Sequence, residues 1–305
     1  MPSNGVHLVT GSYDSTIRFW DASGGHTTRT IKFDEKSPVN TIAISSDGRY
    51  LAAGGIRTLK VYDAETIKAN EIFSREDHKA GICTVGFNKE TKWIYTGSED
   101  TTIKIWDIRT TGYIRNFSNS FCVNDVSLNP DQSELISVDE EGYIRVWDLL
   151  TSTCRLQLCP SFHTPIHCCA ISPNGKHFVA CNKKGNIYKW SYNDQHELIP
   201  EKVIDGHNKY ILNCKFSPNS KLLCTTSADQ SVKIWDSDTL ENTSILYGHE
   251  KYVWDCSFSS DSKMLVTASS DQTARLWDLS SAKTLRHYLG HEKAVSCVAL
   301  YEARR

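Results

Sequence analysis

A His, a Ser and an Asp stand 28, 8 and 6 residues ahead of a Trp in three stretches of this chain. The sets are His78, Ser98, Asp100 and Trp106; His207, Ser227, Asp229 and Trp235; and His249, Ser269, Asp271 and Trp277. A fourth set is divided between the ends, with His291 from the C-terminal segment and Ser12, Asp14 and Trp20 from the N-terminal one. Imidazole, hydroxyl and carboxylate are the groups of a nucleophilic hydrolase. An active site is needed once, whereas this arrangement occurs four times, so the pattern reads as structural. The expected chain of bonds runs from Asp to the His ring, from His to the Ser hydroxyl, and from the indole N–H to that same hydroxyl. Such a chain satisfies each buried polar group.

The elements that must position these sets follow from a longer rhythm. Trp20, Tyr62, Trp106, Trp147, Trp190, Trp235 and Trp277 lie 42, 44, 41, 43, 45 and 42 residues apart. Asp follows each of them except Trp190, where Ser191 stands. A period of 41–45 residues ending in Trp-Asp marks the four-stranded blade of a WD-repeat propeller. Seven marks predict an all-β, seven-bladed propeller that uses residues 1–305 as one domain.

Within one period, ILNCKFS from Ile211, LLCTTSAD from Leu222, SVKIWD from Ser231 and NTSILY from Asn242 read as inner, second, third and outer strands. Alternation of apolar and polar residues between turn signals supports this. Inner strands are expected near Val39, Ile82, Val123, Ile166, Ile211, Val253 and Val295. Turns such as SSDG, NPDQ, SPNG, SPNS and SSDS follow most of them. The segment SYNDQHELIPEKVIDGH after Trp190 is about three residues longer than its equivalents. Neither end holds a whole repeat. The N-terminal HLVTGS, TIRFWD and TTRTIKF supply three strands, and VSCVALY from Val295 supplies the fourth. Joined, they close the ring and remove exposed sheet edges.

The blades ending at Trp147, Trp190 and Tyr62 carry Asp139 and Glu141, Asn182 and Lys184, and Gly54 and Ile56 at the Ser and Asp positions. They are expected to rely more on apolar packing.

A chain of 305 residues buries roughly 75% of its unfolded surface and needs no staples. Its net charge of −2, with both signs interspersed, gives no footprint for nucleic acid. The eleven Cys form no Cys-x-x-Cys, and several lie in apolar strands as small hydrophobes. With no leader-like start and no apolar run of the ~18–20 residues that span a bilayer, the expectation is a cytoplasmic protein. It would reach membranes, including endomembranes, only through partners. His163, His167, Cys168 and Cys169 could suggest a metal, but strand alternation points 167 and 168 to opposite faces. Glu140-Glu141 and Glu99-Asp100 read as turn residues. No phosphate-cradling loop is present. No cofactor, no metal and no enzymatic activity is expected.

Function should therefore sit on a face of the ring. The residues flanking the first apolar position of each inner strand face the channel mouth. The preceding ones are Pro38, Gly81, Cys122, Pro165, Tyr210, Tyr252 and Ala294. The following ones are Asn40, Cys83, Asn124, His167, Leu212, Trp254 and Ser296. Tyr210, Leu212, Tyr252 and Trp254 fall on adjacent blades, a sector of aromatic anchors for a protein partner. The competing role for Trp254 is a channel plug. Trp93 begins a second strand and is read as capping its own blade.

The runs YTGSEDTTIKIWD, NPDQSELI, LIPEKV, FSPNSKLLCTTSADQSVKIW, VTASSDQTARLWD and GHEKAVSCVAL carry a closer likeness. The chain resembles the LST-type WD-repeat subunit of TOR kinase complexes, the G-protein-beta-subunit-like family, from end to end. The resemblance implies a non-catalytic scaffold, a monomeric propeller within a larger complex, docked on the TOR kinase domain. It implies docking through Asn40, Tyr252 and Trp254, extended here to Tyr210 and Asn124. Tyr252 stands where animal relatives have Trp, and Pro38 where they have Gln. A generic adaptor, such as a ligase substrate receptor or a G-protein β subunit, is the alternative.

Overall fold

The computed structural model describes residues 6–302 apart from 36, 65–70, 111, 194 and 196. The opening MPSNG, read above for a leader, lies outside the described residues. Among the described residues, seven four-stranded antiparallel sheets make up the fold. Blade 1 takes its inner strand, Val295–Glu302, from the far end of the chain. That strand pairs with Val6–Ser12, with Leu8 opposite Leu300 and Gly11 opposite Cys297. Blades 2 to 7 follow in chain order. Six inner strands begin at Ile82, Val123, Ile166, Ile211, Val253 and Val295, as the alternation predicts. The seventh begins at Thr41, two residues after Val39.

The core is divided among the seams between blades. Each blade-ending aromatic packs into the seam with the preceding blade. Trp235 meets Cys168, Val179 and Ile187 of blade 5. Trp20 of blade 1 meets Val266, Ala268 and Leu276 of blade 7, together with Val295 and Val298. Tyr62 fills the same place between blades 1 and 2. The Tyr288 hydroxyl donates to the Ala22 carbonyl at 2.8 Å across the closing seam. The Asp after the Trp makes the turn to the outer strand. Asp21, Asp107 and Asp278 each accept from the backbone N–H two residues on, at 2.9 Å. The long segment after Trp190 extends the outer strand of blade 5, Leu198–Asp205, to eight residues.

The four His–Ser–Asp–Trp sets are assembled, with one correction. Asp accepts from His Nδ1 at 2.7–2.9 Å in all four. The hydroxyl between His and Trp belongs to a Thr and not to Ser12, Ser98, Ser227 or Ser269. Trp106 Nε1 donates to Thr96 Oγ1 at 2.9 Å, and Thr96 lies 2.7 Å from His78 Nε2. Thr10, Thr225 and Thr267 do the same for Trp20, Trp235 and Trp277. Strand register is the reason. Ile94 lies opposite Trp106, so Thr96, two residues on, shares its face beside the indole. Ser98 lies at the strand end, where its hydroxyl accepts from Asp100 N–H at 3.1 Å.

These turns are tight. The residue after each Asp (Ser15, Thr101, Gln230 and Gln272) has a φ of 64–73°. Blades 4 and 5 place Gly142 and Gly185 at left-handed φ in the corresponding turns. Burial holds His78 and His249 below the usual imidazole range, so both are neutral near pH 7. Nδ1–H then donates to Asp, Nε2 accepts from Thr, and Thr accepts from the indole.

The remaining blades are also corrected in part. In blade 4, Asp139 is fully buried and pairs with Arg145. Asn119 donates to the same carboxylate at 3.2 Å, and Trp147 Nε1 donates to Ser137 at 2.8 Å. In blade 5, Asn182 donates to the Tyr188 hydroxyl at 3.2 Å. Polar networks of different composition thus stand where apolar packing was expected.

Candidate functional site

The channel mouth is built by β-bulges. In six blades the register shifts at the second residue of the inner strand, or at its equivalent in blade 1. The residues at these shifts are Cys83, Asn124, His167, Leu212, Trp254 and Ser296. A bulge inserts one unpaired residue and re-aims its side chain. Together with Asn40, these six line one cavity of about 320 Å³. The following-position residues therefore converge at the mouth.

A second set of residues joins them from the tight turns. Tyr13, Glu99, Glu140, Lys183, Ala228 and Ser270 each directly follow the tetrad Ser or its substitute. Their N–H groups donate to Ala294, Gly81, Cys122, Pro165, Tyr210 and Tyr252 carbonyls at 2.9–3.1 Å. The turn is thereby fixed to the strand entry around the ring. Sequence reasoning missed this set; the signal available was its constant place between Ser and Asp.

The mouth is uneven. Trp254 is half-buried, with Tyr252 at 6.3 Å edge-on and Tyr13 at 6.5 Å between ring centroids. Its indole N–H donates to Ser270. Tyr210, Tyr252 and Tyr13 are 50%, 44% and 40% exposed. Tyr210 lies 6.4 Å from His167. Burial and the Lys183 charge push His167 down to about 4, so it is neutral there. Blades 6, 7 and 1 thus present an aromatic sector.

Asn40, on blade 2 beside this sector, and Asn124, on blade 4 across the channel from it, are already engaged. Asn40 Nδ2 donates to the Gly55 and Ile82 carbonyls at 3.2 and 3.3 Å. Asn124 Nδ2 donates to the Ile166 carbonyl at 2.8 Å and to Glu140 at 3.1 Å. Ile82 and Ile166 belong to the next blade, so each Asn bridges neighbouring blades. Ser296 does likewise, donating to the Val39 carbonyl. Glu140 also pairs with Lys183.

Deeper in the channel, carboxylates tie one inner strand to the next. Asp125 accepts from Cys169 N–H at 2.9 Å and Asp255 from Val298 N–H at 2.8 Å. Lys215 donates to Asp255 at 2.7 Å. Burial pushes Asp125 up to about 6. These groups stiffen the wall behind the mouth.

The four residues read for a metal are not brought together. His163 pairs with Glu141 at the surface at 2.8 Å. His167 lines the mouth, and Cys168 and Cys169 enter different seams. Among the described residues no helix is long and apolar enough to cross a membrane.

A family model described as the IFT122 first beta-propeller matches residues 38–304, and one described as WD domain, G-beta repeat matches residues 1–21. The chain is 41% identical over 242 residues to "Target of rapamycin complex subunit wat1" of Schizosaccharomyces pombe, covering 78% of this chain and 77% of that protein. It is 40% identical to "Target of rapamycin complex subunit LST8" of Mus musculus, covering 76% and 73%. It is 44% identical to "Protein LST8 homolog" of Dictyostelium discoideum, covering 76% and 77%. Identity at this level over three quarters of both chains, on a seven-bladed WD-repeat ring, places the chain in the LST8 family.

Proposed function

We propose that this chain is a non-catalytic subunit of a TOR complex that docks on the TOR kinase domain through the aromatic sector of its channel mouth. The observation that carries the reading is the cluster of Tyr13, Tyr252 and Trp254, with Tyr210 beside it, preset on a stiff ring and accessible. Aromatic anchors of this kind dominate binding energy at protein interfaces. The names of the relatives above support the complex. Asn40 and Asn124 act as polar rim and as blade-to-blade ties. The propeller works as one domain, 1–305, monomeric before assembly, in the cytoplasm. It meets endomembranes only through its partners.

A non-catalytic role fits the mouth chemistry. Asp125 and Asp255 in the channel are bonded to strand backbone, Glu140 is paired with Lys183, and the tetrad His rings have both nitrogens engaged. Affinity capture of the chain from its native cell, read by mass spectrometry, tests the proposal. A kinase of very large mass in the eluate is expected. Its absence, with a ligase or a G-protein γ subunit in its place, would favour the generic adaptor.

A further inference from the structure

Three cysteines distant in sequence meet in the seam between blades 5 and 6. Cys168 lies on the inner strand of blade 5, Cys181 on its second strand, and Cys214 on the inner strand of blade 6. Their Sγ atoms lie within 4.8 Å of one another, and all three residues are buried. Ile187, Ile211 and Leu223 belong to the same apolar cluster. Apolar burial pushes Cys168 well above the usual thiol range, whereas at Cys181 the facing Cys168 and Cys214 thiols outweigh burial and hold it down to about 5. His207 is the nearby ring, but its Nδ1 is engaged by Asp229 at 2.9 Å and its Nε2 by Thr225 at 2.8 Å. It supplies no fourth ligand.

Charge decides which ligand such a site takes. A divalent zinc ion with three thiolates leaves a net negative charge and an open fourth position, whereas structural zinc sites are closed by four ligands. Monovalent copper leaves more charge. An apolar seam penalises both. A trivalent metalloid takes three sulfurs in a pyramid, needs no fourth ligand and leaves the group neutral. We propose that Cys168, Cys181 and Cys214 form a binding site for a trivalent thiophilic metalloid, of which arsenous acid is the simplest.

The exchange balances without an oxidant or reductant. Three As–O bonds and three S–H bonds break, three As–S bonds form, and three waters leave. Arsenic stays trivalent throughout. Arsenous acid is small and uncharged, so local opening of the seam gives it entry. Once bound, it ties two strands of blade 5 to one of blade 6.

The test uses the full chain, folded and reduced, incubated with arsenite and then desalted. Intact-mass measurement should show one arsenic gained and three protons lost. Cys181→Ala should abolish the adduct, and Cys154→Ala, at an exposed thiol outside the trio, should keep it. Alkylation of the unsubstituted chain in denaturant, with and without prior arsenite, followed by peptide mapping should show Cys168, Cys181 and Cys214 protected only in the treated sample. This holds whether or not the Cys181 variant folds. The proposal is overturned by an unmodified mass, by protection of other cysteines in place of these, or by an adduct that survives in a folded Cys181→Ala chain.

Discussion

The indole N–H of Trp254 donates to the Ser270 hydroxyl at 2.6 Å. Trp254 occupies the bulge of the blade 7 inner strand, and Ser270 follows the tetrad residue Ser269 in the tight turn. Ser270 N–H in turn donates to the Tyr252 carbonyl at 2.9 Å. One turn therefore orients both aromatic residues, and little ordering is left to occur on docking.

Trp254→Ala should remove an anchor worth about 2 kcal/mol or more, roughly a thirtyfold loss of affinity. Its Tm should stay within a few degrees, because the side chain is half-buried. Quantitative co-purification with the kinase, beside a melting curve, checks both halves. Ser270→Ala should give a smaller loss of the same kind.

Thr96→Val should destabilise the fold by about 1–3 kcal/mol, since it strands the Trp106 N–H and His78 Nε2 together. Ser98→Ala leaves that pair intact and should cost less. Denaturant unfolding of both variants ranks them. A larger loss for Ser98→Ala would return the network to the serine.

Acid should weaken the ring in two stages. Burial keeps the folded-state pKa of His78 and His249 below the 6.5 of the unfolded chain. The unfolded state then binds more protons, and stability falls as pH drops below that value. Burial alone would raise Asp100, but bonds from Thr102, Lys79 N–H and His78 outweigh it and hold the group at about 2, against 3.8 unfolded. Its contribution is present above 3.8 and lost as pH falls towards about 2. Asp125, pushed up to about 6, acts in the opposite sense. Melting curves from neutral pH downwards should show both stages, with Asp125→Asn steepening the loss between about 6 and 4.

Deletion of residues 291–305 should open the ring. It removes the strand paired with Val6–Ser12, the His291 of the split tetrad, and Val295 and Val298 from the closing seam. A monomeric product with an unchanged melting curve would refute closure by these contacts.

Arg145→Met should cost about 3–5 kcal/mol, because it leaves the buried Asp139 without its cation. Arg145→Met combined with Asp139→Asn should recover part of the loss, as chemical denaturation of the single and double variants can show.

Much of this architecture was legible in the sequence. The Trp period counts the blades, alternation places the strands, and the incomplete repeats at the two ends imply that they share a sheet. These are local or periodic properties, carried by the 41–45 residue repeat and by the two-residue alternation within strands. The aromatic positions Tyr210, Tyr252 and Trp254 followed from the same count.

Other features needed the assembled molecule. Which hydroxyl meets the indole depends on the pairing of Ile94 with Trp106, and alternation within one strand does not contain that register. Each bulge adds a single residue, which breaks the period at the very positions that form the mouth. Tyr13 reaches Trp254 only because the last strand closes against the first. Cys168, Cys181 and Cys214 become neighbours only where two blades meet. Sequence periodicity determines what repeats along the chain; contacts between strands that the chain reaches at different turns of the ring are decided by packing in three dimensions.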